Sequence, residues 1–568
     1  MTRFLFRSLA GFTRRDFFRT GSALAIPALL GKRVAAAPAA TVEPAAAAAA
    51  PGVLEIGPNL YQSIGVRPFI NCTGTLTVNS GSLELPEVQK AQEWASKHMV
   101  QLDELMDKVG ERLAAITGAE WGMVTAGCAA AMTHATAACI VGGNPDKHVH
   151  LPSMDGLDKT EVIIPKQARN NYDAAIRGTG VKIVEPNSVQ ELEAAINAKT
   201  AMIYIRSEVP NGTVPNTDVY RIAKQRNIPV LIDAAPEVLT IPNVHLQAGA
   251  TMVAYSGGKQ LRGPQCSGLL LGRKDLLKAA WVGSAPHHGF SRSMKVGKEE
   301  IMGLLAAVEV WAKQDQKARW QGLVDKMNVI AKKVTSIPGV TAQVTDAPRP
   351  GQLSNISPSV AVSWDPTKFN LTGQDMARIL DTTEPRIMIS GGGGGGGGRR
   401  GGAAGAAGAP GASGAAPAAP AAPSTGVSVT AFNLGPGEEK IVAERLAAVL
   451  TAKRPPVPPA EAPKPLVADM SGEWDVDITF AAGKGTHRLT ITQQGAQVTG
   501  THQGDFLSRP LNGTVNGDAV TLRSNVGETT IGNSLSYTFT GKIANGAMSG
   551  DLSMGEYLGA KWTARKRA

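Results

Sequence analysis

The chain has 568 residues, 43% of them hydrophobic, 18% charged and 5% aromatic, which is material for roughly three or four domains and excludes wholesale disorder. Its 64 Gly and 36 Pro are often bunched with Ala, so part of the chain must be linker. The formal charge of +10 sits mainly at the N-terminus: residues 1–33 hold seven Lys/Arg against Asp16, and the other 535 residues carry only +4. Composition therefore gives little support to a polyanion partner, and no nucleic acid is expected.

Arg14-Arg15 precede a short apolar run at 21–30 and small residues at 34–38, the order of an export signal. The apolar run is too short to span a bilayer as a helix, which takes roughly 20 residues. An Arg pair ahead of such a run resembles the twin-arginine signal, whose pathway exports folded proteins. Residues 1–37 are accordingly predicted to engage the twin-arginine export machinery, with the mature protein periplasmic or otherwise exported. The Ala/Pro-rich stretch 38–59 reads as a tether. Four cysteines, Cys72, Cys128, Cys139 and Cys266, are too few for a disulfide scaffold.

From residue 60 to about 310, apolar runs at 122–125, 162–165, 181–184, 201–205, 229–233, 252–255 and 268–271 alternate with helix-like stretches such as 128–141, 189–196 and 218–225. Continuously apolar strands alternating with helices predict an α/β domain with a mainly parallel sheet covered on both faces. Sites in such sheets lie at the carboxyl ends of the strands. Residues 311–453 read as a smaller α+β domain, interrupted at 390–426 by Gly, Ala and Pro. Strand-like sequence on either side makes that interruption an insertion within the domain. A Pro-rich linker spans 454–467. Residues 468–568 alternate apolar and polar positions, with Asn516-Gly517 and Asn545-Gly546 as hairpin signals, and predict an all-β barrel or sandwich, an accessory module. His487 and His502 within it read as surface residues.

The strongest chemical signal follows the run at 252–255. Lys259 stands among glycines in a tight turn between two apolar strands, where burial favours the free amine needed for nucleophilic work. Asp233 ends an earlier buried strand. Ala126-Gly127-Cys128 opens a helix of small residues, a ready cradle for phosphate. Cradle, strand-end Asp and strand-turn Lys, in that order, form the anchoring set for pyridoxal 5′-phosphate, in which the Lys makes the Schiff base and the Asp pairs with the pyridinium nitrogen. Neither a Walker pattern nor a zinc-type His/Cys spacing is present, so no metal is expected. Arg386, at a strand start, is a candidate to bind a substrate carboxylate bidentately. Arg262, His287-His288 and Tyr172 are weaker candidates.

Arg67-Pro-Phe-Ile-Asn-Cys-Thr-Gly74, and Ser256-Gly-Gly-Lys259 with Gly263-Pro-Gln265, resemble the bacterial seryl-tRNA selenium transferases, a family of fold type I (aspartate-aminotransferase-like) pyridoxal-phosphate enzymes. The Ser-Gly-Gly-Lys form is more similar to their D-glucosaminate-6-phosphate ammonia-lyase relatives. The resemblance covers about residues 65–450 without the insertion. It implies Lys259 as the Schiff-base lysine, Asp233 as the pyridinium partner, and Ala126, Gly127, Cys128 and Ser256 as phosphate contacts. It also implies a homodimer or higher homo-oligomer and a small substrate bearing an amino group. The tRNA-using transferases usually carry Asp directly before the lysine, where this chain has Gly258, and a folded tRNA-binding domain where it has signal and tether. The reading is therefore an exported enzyme that abstracts a Cα proton from a small amino acid or amino sugar acid, with α,β-elimination of the ammonia-lyase type. A selenium transferase-like reaction, an aminotransferase and a non-catalytic protein that kept the fold are the alternatives.

Overall fold

The computed structural model describes residues 53–391, 426–455, 463–525 and 535–567. The predicted signal peptide, most of the tether, nearly all of the Gly/Ala/Pro insertion and the centre of the second linker lie outside them. Residues 53–66 fall in a unit of their own, where a short 3-10 turn, Gln62–Ile64, ends at Gly65 in the left-handed region.

In the large domain the apolar runs become seven strands: β1 (Trp121–Thr125), β2 (Glu161–Ile163), β3 (Lys182–Val184), β4 (Thr200–Arg206), β5 (Val230–Asp233), β6 (Met252–Ser256) and β7 (Gly268–Gly272). Their order across the sheet is β1-β7-β6-β5-β4-β2-β3. Strands β1, β5 and β7 are buried along their whole length, because helices cover both faces; polar residues come only at strand ends, Thr125 on β1 and Asp233 on β5. Strand β7 runs antiparallel to both its neighbours, and the other pairs are parallel. Helix α1 (Cys128–Val141) is buried on nearly all sides. Its polar members are satisfied within reach: Thr136 Oγ1 donates to the Met132 carbonyl at 2.7 Å, and His134 bonds the Ala130 carbonyl at 2.6 Å and Ser284 Oγ at 3.0 Å. Burial pulls the His134 pKa down to about 4.

The small domain has a separate core. Strands β8 (Val340–Thr345), β9 (Ser359–Trp364), β10 (Ser390–Gly391) and β11 (Gly426–Thr430) form an antiparallel sheet in the order β10-β11-β9-β8. Val360, Val362 and Trp364 point inward on alternate positions of β9. The inserted residues join β10 to β11, which are hydrogen-bonded neighbours. One segment departs from the linear domain division. Ile70 and Cys72, early in the predicted large domain, are buried in the small-domain core, because Ile70–Asn71 pairs in parallel with Ile387–Met388. The chain then leaves the small domain at Thr73 and runs toward the large one. All four cysteines are free.

The C-terminal module is a closed antiparallel barrel of eight strands, β12 (Gly472–Thr479), β13 (Lys484–Gln494), β14 (Gln497–Gln503), β15 (Ser508–Asn516), β16 (Ala519–Asn525), β17 (Ser536–Ala544), β18 (Ala547–Ser553) and β19 (Gly559–Lys566), with β19 returning to β12. Closure leaves no sheet edge. The Asn545-Gly546 turn has both residues at positive φ, as a two-residue hairpin requires. The other hairpin closes over Gly517-Asp518, one residue later than its sequence signal. His487 and His502 are corrected by the structure: both are buried inside the barrel. His487 Nδ1 lies 2.9 Å from His502 Nε2, and His502 Nδ1 lies 2.8 Å from Ser524 Oγ. They share the inward parity of Leu489 and Ile491 on β13 and of Val498 on β14.

Candidate active site

A cavity of about 170 Å3 lies beyond the carboxyl ends of β5 and β6 and in front of helix α1. Asp233, Ser256, Gly127, Cys128 and Lys259 all line it. Five expected cofactor residues, scattered over 133 positions of sequence, thus meet in one place.

Asp233 is the last residue of β5 and is only 7% exposed. Its Oδ1 accepts the Ala235 N–H at 2.9 Å and the Cys128 thiol at 3.7 Å, and its Oδ2 accepts the Tyr204 hydroxyl at 3.0 Å. Among the described residues it has no ion pair. A buried carboxylate held by neutral donors alone calls for a cation brought by a ligand. Burial, and then the Asp233 charge, push the pKa values of both Cys128 and Tyr204 well above their usual ranges. Both groups therefore remain protonated donors, and Cys128 is not a thiolate nucleophile.

Lys259 lies three residues past β6 in a turn fixed at its base by bonds from Gly257 N to the Ser267 carbonyl and from Gly263 N to the Gly257 carbonyl, each 2.9 Å. Its side chain is half-buried and lines the cavity, and no described residue forms an ion pair with Nζ. The preceding Gly258 is fixed by packing: a Cβ there would stand 2.5 Å from Gln265 Cα, a backbone atom that cannot swing aside. Gly127, at φ +128°, faces open space and starts helix α1 without a side-chain cap. The first bond within the helix runs from Ala131 N to the Gly127 carbonyl, so the N–H groups of Cys128, Ala129 and Ala130 are available to an anion.

Of the remaining predicted residues, Tyr172 reaches the cavity and the others do not line it. Ala126 is beside the cavity and accepts the Cys266 thiol through its carbonyl at 3.9 Å. Tyr172 lines the cavity and is exposed. Arg386 is engaged in the small domain, its guanidinium paired with Asp381 at 2.9 Å and bonded to the Arg67 carbonyl at 3.1 Å. Arg262 points away from the cavity, its Nε donating to the Leu83 carbonyl at 2.8 Å. His287 pairs with Asp103 at 3.2 Å, and His288 is exposed.

Sequence reading missed the wall supplied by Thr75, Thr77 and Gly81. This segment follows the Arg67–Gly74 motif and is clamped from both domains. Asn433 Nδ2 donates to the Gly74 and Gly81 carbonyls at 3.0 and 3.1 Å, Ser82 Oγ to the Gly258 carbonyl at 3.0 Å, and Gln265 Nε2 to the Thr77 carbonyl at 3.3 Å. Tyr204 was missed as well, although a hydroxyl within the apolar run at 201–205 signals that it must find a buried partner.

This donor set fits pyridoxal 5′-phosphate: N–H groups at a helix start for the phosphate and, on the same cavity, a buried carboxylate for the ring nitrogen and an amine, neither with an ion pair among the described residues. The fold and the site are those of a fold type I enzyme dependent on that cofactor. The aminotransferase class-V family profile matches residues 95–393, and the chain belongs to that family. It is 32% identical over 299 residues to a D-glucosaminate-6-phosphate ammonia lyase of Salmonella typhimurium, covering 50% of this chain and 78% of that one. A 5′-C-glycyluridine monooxygenase-decarboxylase of a Streptomyces species is 31% identical over 297 residues, 50% of this chain and 73% of the relative. An L-seryl-tRNA(Sec) selenium transferase of Proteus mirabilis is 24% identical over 290 residues, 45% and 59% of the two chains. The solved structure of a D-glucosaminate-6-phosphate ammonia-lyase superposes with a TM-score of 0.57 at 26% identity, covering 69% of this chain and 98% of that one.

Proposed function

We propose that the chain is an exported ammonia-lyase-type enzyme that eliminates a β-leaving group from a small amino acid or amino sugar acid, as a homo-oligomer. The observation that carries this reading is the convergence of the Lys259 amine and the Asp233 carboxylate on one cavity, in a chain that resembles an ammonia lyase over most of that relative's length. Bound pyridoxal 5′-phosphate supplies an electron sink for the carbanion formed at Cα. Lys259 holds the cofactor through Nζ and, once substrate has released it, takes the Cα proton on the same nitrogen. Asp233 keeps a proton on the ring nitrogen, and its own position is fixed by Tyr204, Cys128 and the Ala235 N–H. Cys128, Ala129 and Ala130 offer backbone N–H groups to the phosphate, with Ser256 beside them. The β-group would leave with its bonding electrons and take up a proton, and water would hydrolyse the enamine, through its imine tautomer, to a keto acid and ammonia.

Purified protein given a β-hydroxy amino acid or an amino sugar acid should release ammonia and keto acid in equal amounts with no added acceptor. Strict dependence on a keto-acid acceptor would make it an aminotransferase. Oxygen uptake in step with turnover would instead align it with the monooxygenase-decarboxylase relative. Lys259→Ala should lose both the cofactor's visible absorbance and turnover. Export rests on Arg14-Arg15 and the short apolar run after them: replacing both arginines by lysine should leave the protein in the cytoplasm, and unchanged export of that variant would remove the twin-arginine reading.

A further inference from the structure

A second cavity, of about 80 Å3, lies behind the Lys259 turn and shares no lining residue with the first. Gln260, Leu261 and Arg262 form one wall, and Trp311, Arg319 and Phe432 the other. Its polar equipment is unusual in three independent ways. Arg262 holds φ +54°, a left-handed conformation that normally selects Gly or Asn, so an arginine there keeps a backbone cost of the kind found at functional positions. Its Nε is tied to the Leu83 carbonyl at 2.8 Å, which fixes the guanidinium and leaves its far edge available.

Arg319 is held between two rings, its guanidinium carbon 5.2 Å from the Trp311 centroid and 5.4 Å from that of Phe432. Trp311 is itself fixed by a bond from Nε1 to the Leu239 carbonyl at 2.7 Å. No described carboxylate pairs with Arg319, and burial, with Arg262 as the second cause, lowers its pKa to about 10. It stays charged at neutral pH, beside a second cation. Gln260 is 5% exposed, and its Oε1 is buried without a partner. Among the described residues neither guanidinium forms an ion pair, and Glu87 acts on Arg262 only as a weaker cause than burial; two oriented guanidinium groups of this kind are matched by a ligand carrying two negative charges.

We propose that this cavity binds a small dianion of the phosphate class, as free phosphate or as the head of a phosphate ester, gripped between Arg262 and Arg319. Gln260 Oε1 accepts its hydroxyl when the anion is singly protonated. Because Gln260 and Arg262 directly follow Lys259 in the same turn, an occupied site would brace that turn from behind.

The test is calorimetric titration of the cofactor-loaded protein with inorganic phosphate and with glycerol phosphate, against chloride at matched ionic strength, while the cofactor's absorbance is followed. Saturable binding of one anion per chain with unchanged absorbance is expected, with chloride silent. The tighter of the two phosphates identifies the source as free ion or ester. Arg319→Met and Arg262→Gly should each weaken binding at least tenfold. Arg262→Gly relieves the positive φ and should melt no lower than the parent protein, so it decides the matter even if Arg319→Met does not fold. Absence of saturable binding, full affinity in Arg262→Gly, or loss of cofactor absorbance in step with phosphate would each overturn the proposal.

Discussion

Asp233 owes its place to being the last residue of an apolar strand, and its chemistry to what surrounds it there. Asp233→Asn keeps the shape of the side chain but removes the charge that retains a proton on the ring nitrogen. We expect kcat to fall about 100- to 1,000-fold with the protein still folded; turnover at the parent rate would show that the carboxylate has another role. Tyr204→Phe should leave Oδ2 of the buried carboxylate without its donor and lower the stability of the cofactor-free protein by about 1–3 kcal/mol, read from chemical denaturation. The meeting of Lys259 and Asp233 at one cavity was legible in the sequence, because Asp233 ends one apolar run and Lys259 follows another, where parallel sheets put their chemistry. The fate of Arg386 was not. Its partner Asp381 sits five positions back on the helix Gly373–Thr382, and no spacing rule announces an ion pair across a turn.

Gly258 shows how an element constrains a motif. The turn that presents Lys259 is packed against the Gln265 backbone so closely that Gly258→Asp, the residue usual in the tRNA-using transferases, must shift main chain. A loss of about 1–3 kcal/mol is expected, seen as a lowered melting temperature and weaker cofactor retention. The antiparallel course of β7 could not be read beforehand, because a fully buried strand has the same apolar run in either direction. The barrel histidines could have been: on a strand, parity assigns the face, and His487 is in phase with Leu489 and Ile491. Burial holds the His502 pKa near 3 and also lowers that of His487, against an ordinary value of 6.5. The unfolded chain takes up protons as pH falls through 6.5, whereas the folded barrel does not do so at His502 until near 3. The stability of the barrel should therefore be full above that upper value and decline toward acid, by up to about 1.4 kcal/mol per pH unit for each histidine. Melts followed at pH 7.5 and pH 5 check this, with His502→Asn expected to flatten the dependence.

For the whole molecule, three separate hydrophobic cores account for most of the organisation that composition suggested. The Pro-rich linker and the switch to two-residue periodicity marked the barrel clearly. What sequence order concealed was the return of Ile70–Cys72 to the small domain, since a parallel pairing with residues more than 300 positions away leaves no local trace. Because none of the cavity's lining residues comes from the barrel, a chain ending at Lys453 should fold, keep its cofactor and turn over substrate at close to the full rate. An inactive but folded truncation would show that the barrel completes the site.

The pairing of β10 with β11 has a practical meaning. Ser390 faces Ser428 and Gly391 faces Val427 in an antiparallel register, so the two ends of the inserted sequence are already where a tight hairpin would put them. The small domain thus offers an edge port into which a tag, a reporter or a foreign domain can be grafted without re-routing a strand, and from which residues 392–425 can be excised and the gap closed with a short turn.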